Sequence, residues 1–152
     1  MHIILYIFDA LRFDHLGCFR YERDISPHID AIAREGVIFP HCFSPATCTR
    51  PVAASILSGT YPGVHLTKAR YDMFTSDLKR LPEVLRRNGF KTAAFSTMVN
   101  IASGMGFDKG FDHYFDLFRE SEVVKKRKKR GVHQEIVDVL DGDEFVFASA
   151  ED

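Results

Sequence analysis

The chain has 152 residues, of which 45% are hydrophobic and 27% charged, and its formal net charge at pH 7 is −1. This length suits one domain with a sizeable core, and the composition is typical of a globular protein rather than a disordered one. Net charge near zero gives no support to a nucleic-acid partner or an acidic membrane surface. No apolar run approaches the roughly 18 residues that span a bilayer, so we expect no membrane segment.

The chain begins with a short apolar run that ends in an acid. Residues 3–8 are apolar or aromatic, and Asp9 follows them. No basic segment precedes this run and no small-residue cleavage site follows it, so it predicts a buried strand rather than a signal peptide. The three cysteines have neither the spacing of a disulfide framework nor that of a zinc site. We therefore expect a cytoplasmic location, provided that Met1 is the true start.

The elements up to residue 96 are predicted from caps, breakers and apolar periodicity. A Ser-Pro step indicates a helix start, and Gly or Asn-Gly indicates a helix end. Strand and helix alternate along the chain, which favours an α/β fold with a mainly parallel sheet. After the strand at 3–8, the predicted elements are a helix over 27–35, a strand at 37–39, a helix over 51–58, a helix capped at 76–77 and stopped at 88–89, and a strand at 91–96.

The pattern weakens beyond residue 100. Residues 104–112 are a glycine-punctuated loop, and Lys125–Arg130 is a run of six consecutive cations. No aromatic residue is interleaved with these cations to stack on bases, so a solvated surface insertion is favoured over a nucleic-acid site. Residues 144–152 resemble the opening of a strand or helix, and we expect the chain to be a truncated part of a longer protein.

Asp9 is the first candidate for chemistry. In an open α/β sheet, ligands bind beyond the carboxyl ends of strands, where Asp9 is predicted to lie. A carboxylate at such a position can ligate a hard divalent cation. The spacing alone leaves open whether Asp9 does so or caps the following turn.

Hydroxyls and an arginine open the predicted helix over 51–58. The unpaired N–H groups and the dipole of a helix N-terminus favour an anion there. A hydroxyl from Thr47 or Thr49 could attack sulfur or phosphorus, and Arg50 could clamp the oxyanion. The same residue types also serve as ordinary N-caps, and the spacing alone favours that simpler role.

Three segments, in this order, resemble the N-terminal part of the sulfatase family in the alkaline phosphatase superfamily. They are Asp9 after an apolar run, residues 26–39 and residues 44–62, and the likeness runs from residue 2 to about residue 115. The resemblance implies an alkaline-phosphatase-like sandwich, with a mainly parallel sheet flanked by helices. It also implies hydrolysis of small sulfate or phosphate esters, and a divalent cation such as Ca²⁺ or Mg²⁺. Residues 1–152 would form one partial domain, incomplete at its C-terminal side, with a basic insertion and truncated end over 119–152.

The chain departs from the family's Cys-x-Pro-x-Arg pattern, whose cysteine lies ten residues before a glycine. Counting back from Gly59 puts Thr49 at the nucleophile and Ala53 at the arginine. Cys48 lies one position too early, so oxidation to formylglycine is not expected. The resemblance implies a catalytic role for Thr49, with Arg50 as a possible replacement for the absent arginine.

The implied metal site is also altered. Asp9 and Thr49 are the implied cation ligands, but Ala10 stands where the family tends to carry a second acid. His65 matches a family position, although a local hydrogen bond in its loop is the favoured interpretation.

Three functions remain open at this stage. The first is a metal-dependent sulfate ester hydrolase with an incomplete site, and we expect the isolated chain to have little or no activity. The second is a phosphodiesterase or phosphoglycerol-type transferase, favoured by threonine in place of cysteine. The third is a non-catalytic remnant that acts as a binding module, which Ala10 and Ala53 favour.

Overall fold

The computed structural model of this protein describes residues 1–117. The predictions for Lys125–Arg130 and for residues 144–152 lie outside these residues. The chain divides into two compact units, Met1–Ser44 and Pro45–Asp152, and each is described by itself.

The first unit contains one α-helix, α1, over Pro27–Glu35, preceded by 3-10 turns at Phe13–His15 and Gly17–Phe19. The predicted helix and both of its ends are confirmed. Proline is favourable in the first helical turn because its missing N–H would have no partner there. The helix ends at Gly36, whose N–H donates to the carbonyl of Ile32 over 2.8 Å.

The predicted strands at 3–8 and 37–39 are wrong. Neither segment is a strand, and each side chain from Ile3 to Phe8 is more than half exposed. An extended segment becomes a strand only when a neighbouring strand takes its backbone hydrogen bonds. The described part of Met1–Ser44 contains no strand that could do so. Apolar composition alone therefore did not determine the local structure.

Within residues 45–117, the described part of the second unit, the α-helices are α2 over Thr49–Ser58, α3 over Pro62–His65 and α4 over Leu81–Arg87. Helix α2 confirms the prediction and begins two residues earlier. It ends at Gly59, which has a φ of 65° and donates its N–H to the carbonyl of Ser55 over 2.8 Å. Glycine adopts this left-handed conformation without a steric penalty. Helix α3 was not predicted.

Helix α4 is shorter than predicted, and the cap at 76–77 is wrong. A helix starting there would place Pro82 in its interior, where proline lacks the N–H and clashes with the preceding turn. The observed start places Pro82 in the first turn instead, with Glu83 accepting the Arg80 N–H over 2.9 Å. The Arg80 side chain is buried and donates to the carbonyl of Phe74 over 2.7 Å, which holds this preceding segment in the core.

Two parallel strands form the sheet of the described residues. Strand β1, Ala93–Ser96, pairs with β2, His113–Asp116, and Ala93 lies opposite His113. The predicted strand at 91–96 is confirmed in shortened form, whereas β2 was not predicted. Just before the strands, Asp112 accepts hydrogen bonds from the N–H and the hydroxyl of Thr92, at 2.9 and 3.0 Å.

The core of the second unit lies against α2. Ala54, Phe74 and Phe107 are buried, and the two phenylalanine rings have centroids 5.3 Å apart. Burying such side chains stabilises the fold by about 1.5–3 kcal/mol each. Within residues 1–117 we find no helix with the length and apolar character needed to cross a membrane.

Candidate functional site

Thr49 is the first residue of α2 and is half-buried. Cys48 precedes it in extended conformation, and no side chain caps the helix there. The first turn closes through the Val52 N–H and the Cys48 carbonyl at 3.4 Å, longer than the usual value of about 2.9–3.0 Å. N–H groups at a helix start have no partner within the helix and favour an anion. The predicted hydroxyl at a helix N-terminus is therefore present.

Arg50 is buried, with 4% of its surface exposed. Its Nε donates to the carbonyl of Asn100 over 2.7 Å, and Nη1 donates to the carbonyl of Asp72 over 3.1 Å. These partners lie 50 and 22 residues away in sequence, so no local pattern could have indicated them. The structure thus places two of the donors predicted to clamp an oxyanion on backbone carbonyls.

Asp72 organises the loop that receives Arg50. One carboxylate oxygen accepts the N–H groups of Lys68 and Ala69, each at 2.8 Å. These backbone hydrogen bonds hold the pKa of Asp72 below its usual range, because they favour the charged carboxylate. The carbonyl of Asp72 is consequently presented to Arg50 by an ordered turn.

His65 and Ser55 tie the end of α3 to the middle of α2. Their Nε2 and Oγ atoms are 2.9 Å apart, and the Thr67 N–H donates to His65 Nδ1 over 3.1 Å. Since Nδ1 accepts, the proton of the neutral ring lies on Nε2 and is donated to Ser55. Burial lowers the pKa of His65. The local hydrogen-bonding role predicted for His65 is confirmed, and this tautomer does not activate Ser55 as a nucleophile.

Asp9 lies in the first unit and is exposed. The next residue, Ala10, has a φ of 56°, in the left-handed region that a side chain makes unfavourable by about 1–2 kcal/mol. Beyond it, Arg12 and Asp14 form an exposed ion pair of 2.6 Å. A cavity of about 380 Å³ adjoins this turn and is lined mainly by apolar side chains, including Phe8 and Ile29.

Asp30 connects α1 to the 3-10 turns that follow Asp9. Its carboxylate accepts the Cys18 N–H over 2.7 Å and the Ser26 hydroxyl over 2.9 Å, while Ser26 accepts the Gly17 N–H over 3.0 Å. Desolvation raises the pKa of Asp30, but these hydrogen bonds outweigh it and leave the pKa lowered. Ser26 therefore serves this network rather than capping α1.

The described residues do not form a complete cation site. Among residues 1–117, no group of three or more His, Cys, Asp or Glu side chains could hold a metal ion. Asp9 and Thr49, the two ligands that the resemblance implies, belong to different units. Hard cations take six or more oxygen ligands, which include carbonyl oxygens and waters, so a cation at Asp9 would need oxygen ligands besides this carboxylate.

Parallel strands combined with helices define an α/β protein. The Sulfatase family model matches residues 1–150. This chain belongs to the sulfatase family, and the resemblance seen in the sequence is confirmed.

Curated relatives are sulfatases of larger size. N-acetylglucosamine-6-O-sulfatase of Bacteroides thetaiotaomicron is 26% identical over 107 residues, which are 70% of this chain and 19% of that protein. Iduronate 2-sulfatase of Mus musculus is 30% identical over 137 residues, which are 85% of this chain and 24% of that protein. Arylsulfatase A of Homo sapiens is 28% identical over 98 residues, 60% of this chain and 19% of that protein. The chain thus spans about a fifth to a quarter of these relatives.

A solved structure confirms the fold class. It was determined in complex with its substrate D-glucosamine-2-N,6-O-disulfate and is 26% identical to this chain. The TM-score is 0.59, and the match covers 66% of this chain and 20% of the other. The predicted alkaline-phosphatase-like α/β fold is therefore confirmed for the part of the chain that matches.

Proposed function

We propose that this chain supplies the nucleophile-bearing part of a sulfatase that hydrolyses sulfate esters. The observation that carries this proposal is the position of Thr49 as the first residue of α2, a helix that ends ten residues later at Gly59. The sulfatase resemblance implies the nucleophile at this place. Membership of the family and the sulfatase names of the relatives support sulfate as the group transferred.

The proposed reaction begins with attack of the Thr49 hydroxyl oxygen on the sulfur of the ester. The bond between sulfur and the leaving oxygen breaks, and the sulfo group becomes attached to the Thr49 oxygen. The leaving oxygen takes up the proton that the Thr49 hydroxyl loses. Water then releases sulfate and restores the hydroxyl. The N-terminal turn of α2 favours the negative charge of the bound ester. Formylglycine is not part of this proposal, because its formation needs cysteine or serine.

Asp9 is proposed as the carboxylate that this chain offers to a divalent cation, Ca²⁺ or Mg²⁺. Aspartate oxygens suit both ions, but the described residues offer no complete ligand set. We therefore expect weak cation binding and at most slow turnover by the chain on its own.

The proposed substrate class is a sulfated carbohydrate. Support comes from relatives named as N-acetylglucosamine-6-O-sulfatase and iduronate 2-sulfatase, and from the neighbouring structure with its disulfated glucosamine. A second candidate function, a non-catalytic binding module, is favoured by the incomplete cation site within residues 1–117.

The test compares N-acetylglucosamine-6-sulfate, an aryl sulfate and an aryl phosphodiester, each with and without Ca²⁺ or Mg²⁺. A ligand that binds the folded state raises the melting temperature with its concentration. We expect the sulfate esters to raise the melting temperature more strongly when the cation is present. Any cleavage of these esters should disappear in Thr49→Val. The matched control is Thr47→Val, which removes a neighbouring hydroxyl outside α2.

The competing functions give different results. Faster cleavage of the phosphodiester would replace the proposal by phosphoryl chemistry. Cation-independent binding without cleavage would favour the binding module. Many turnovers of a sulfate ester, lost in Thr49→Val, would show that the site is more complete than we propose.

A further inference from the structure

The start of α2 has no side-chain cap, which is the interaction that most often fixes a helix start. Its first backbone hydrogen bond is also long, at 3.4 Å. Uncapped helix ends fray readily, since their first N–H groups have no partner in the helix. Yet Thr49 must be held in place if its hydroxyl is to react, because small displacements reduce rates strongly.

The side chain next to Thr49 supplies a tether. Arg50 Nε donates to Asn100 in the 3-10 turn Val99–Ile101, and Nη1 donates to Asp72 in the loop that follows α3. A guanidinium is planar and presents its donors in a fixed fork, so two carbonyls in different segments define its position and orientation. The side chain is 4% exposed, which shields both hydrogen bonds from water.

We propose that Arg50 is a positioning residue, which fixes the first turn of α2 and thereby the place of Thr49, rather than a group that clamps the substrate. This inference rests on the proposed function of Thr49. The loop that receives Arg50 is itself held, because Asp72 accepts two backbone N–H groups and Thr67 donates to the carbonyl of Met73 over 3.2 Å. Arg50 thus connects the helix start to two ordered segments.

The test variant is Arg50→Lys, which keeps the charge but cannot reproduce a planar fork onto two carbonyls. Arg87→Lys is the matched control, because Arg87 is exposed on α4. The reporter is a thiol at position 49, introduced by Thr49→Cys together with Cys48→Ser. The pH dependence of its alkylation, followed by mass spectrometry of the peptide, gives the thiol pKa.

A thiol held at a helix N-terminus has a pKa below the ordinary value of about 8.5. We expect this lowering with Arg50 in place, and an upward shift of roughly 0.2–0.7 pH units in Arg50→Lys, the size of a helix-terminal effect at an exposed site. Arg87→Lys should leave the thiol unchanged. A purely structural role would lower the melting temperature without moving the thiol pKa of the folded protein.

Two further readouts use the native residue 49. Hydrogen exchange should accelerate in the first turn of α2 in Arg50→Lys while β1 remains protected. In the wild-type protein, the Arg50 Nε–H should exchange slowly by NMR, because it is buried and hydrogen-bonded. Because this last measurement uses the wild-type protein, it tests the tethering of Arg50 even if Arg50→Lys fails to fold.

The proposal would be overturned by an unchanged thiol pKa in folded Arg50→Lys, or by rapid exchange of the Arg50 Nε–H in the wild type. If the protein cleaves a sulfate ester, kcat should fall in Arg50→Lys with little change in KM; a rise in KM alone would indicate the substrate clamp. Absence of both cleavage and cation-dependent binding of the sulfate ester in all variants would reject the proposed function, while the thiol and exchange results would still decide on the role of Arg50.

Discussion

Ser55 and His65 are joined by a buried hydrogen bond of 2.9 Å between Oγ and Nε2. The other ring nitrogen accepts the Thr67 N–H, so His65 is held in its neutral form between a helix and a loop. The ring also contacts Phe74 edge-on, with centroids 5.9 Å apart. This connection makes the packing around α2 sensitive to protonation of His65.

We expect the free energy of unfolding to fall as the pH is lowered below the ordinary histidine pKa of about 6.5. Burial lowers the pKa of His65 in the folded state. The stabilisation from neutral His65 is therefore complete above the histidine pKa of the unfolded chain. It is lost at lower pH, because the unfolded chain binds a proton there more readily than the folded chain does. Urea unfolding between pH 7.5 and 5.5 measures this loss.

His65→Gln should remove that part of the pH dependence and destabilise the fold by about 1–3 kcal/mol, because Ser55 and the Thr67 N–H lose a buried partner. The exposed His28 provides the control, and His28→Gln should leave the pH dependence of the wild type intact. A pH profile that is the same in wild type and His65→Gln would refute this assignment.

Ala10 should gain stability when replaced by glycine. Its φ of 56° is unfavourable for a side chain, and glycine relieves this strain. The larger entropy of unfolded glycine offsets part of the gain, so we expect a net stabilisation of up to about 1 kcal/mol in urea unfolding. Ala31→Gly, within α1, should instead destabilise by about 0.5–1 kcal/mol. Destabilisation by both substitutions would show that Ala10 is not strained.

Gly17 is required by the Asp30 network. A Cβ at Gly17 would clash with Asp30 Oδ2 and would displace the carboxylate from the Cys18 N–H. We expect Gly17→Ala to destabilise by about 1–3 kcal/mol, as in overpacked sites. The comparison is Gly63→Ala, where the added methyl meets nothing within 4 Å. Equal midpoints of thermal unfolding for these two variants would contradict the prediction.

The interaction of Asp112 with Thr92 should contribute more to the free energy of unfolding than its ion pair with Arg86. Thr92 donates two hydrogen bonds in a partly buried site, whereas Arg86 forms an ion pair of 2.8 Å with its own side chain half exposed. We expect Thr92→Val, which removes the hydroxyl, to destabilise by about 1 kcal/mol. Arg86→Gln should have a smaller effect of about 0–1 kcal/mol that decreases further in high salt. The reverse order in urea unfolding would contradict this ranking.

The elements that could be predicted from the sequence are those with local signals. Helix α1 follows from Pro27 in its first turn and from Gly36 at its end, and α2 follows from the stop at Gly59, because these signals act within one turn. The strands were harder to predict, since a strand depends on a partner that is distant in sequence. Strand β2 was missed for this reason, and the apolar run at 3–8 was wrongly assigned.

The candidate site could be predicted only in part. Hydroxyls were predicted at the start of the helix before Gly59, and the structure has Thr49 as the first residue of that helix. The partners of Arg50 could not be predicted, because Asn100 lies 50 residues away and offers only a backbone carbonyl. The cation at Asp9, the absence of formylglycine and the cytoplasmic location remain predictions.

The most direct test of the central claim is residue-resolved mass spectrometry after incubation with an aryl sulfate and Ca²⁺ or Mg²⁺. We predict one sulfo group on Thr49, absent in Thr49→Val and retained in Thr47→Val. Release of the phenol at an unchanged rate in Thr49→Val, or a sulfo group on a residue other than Thr49, would contradict the claim that Thr49 is the reacting residue.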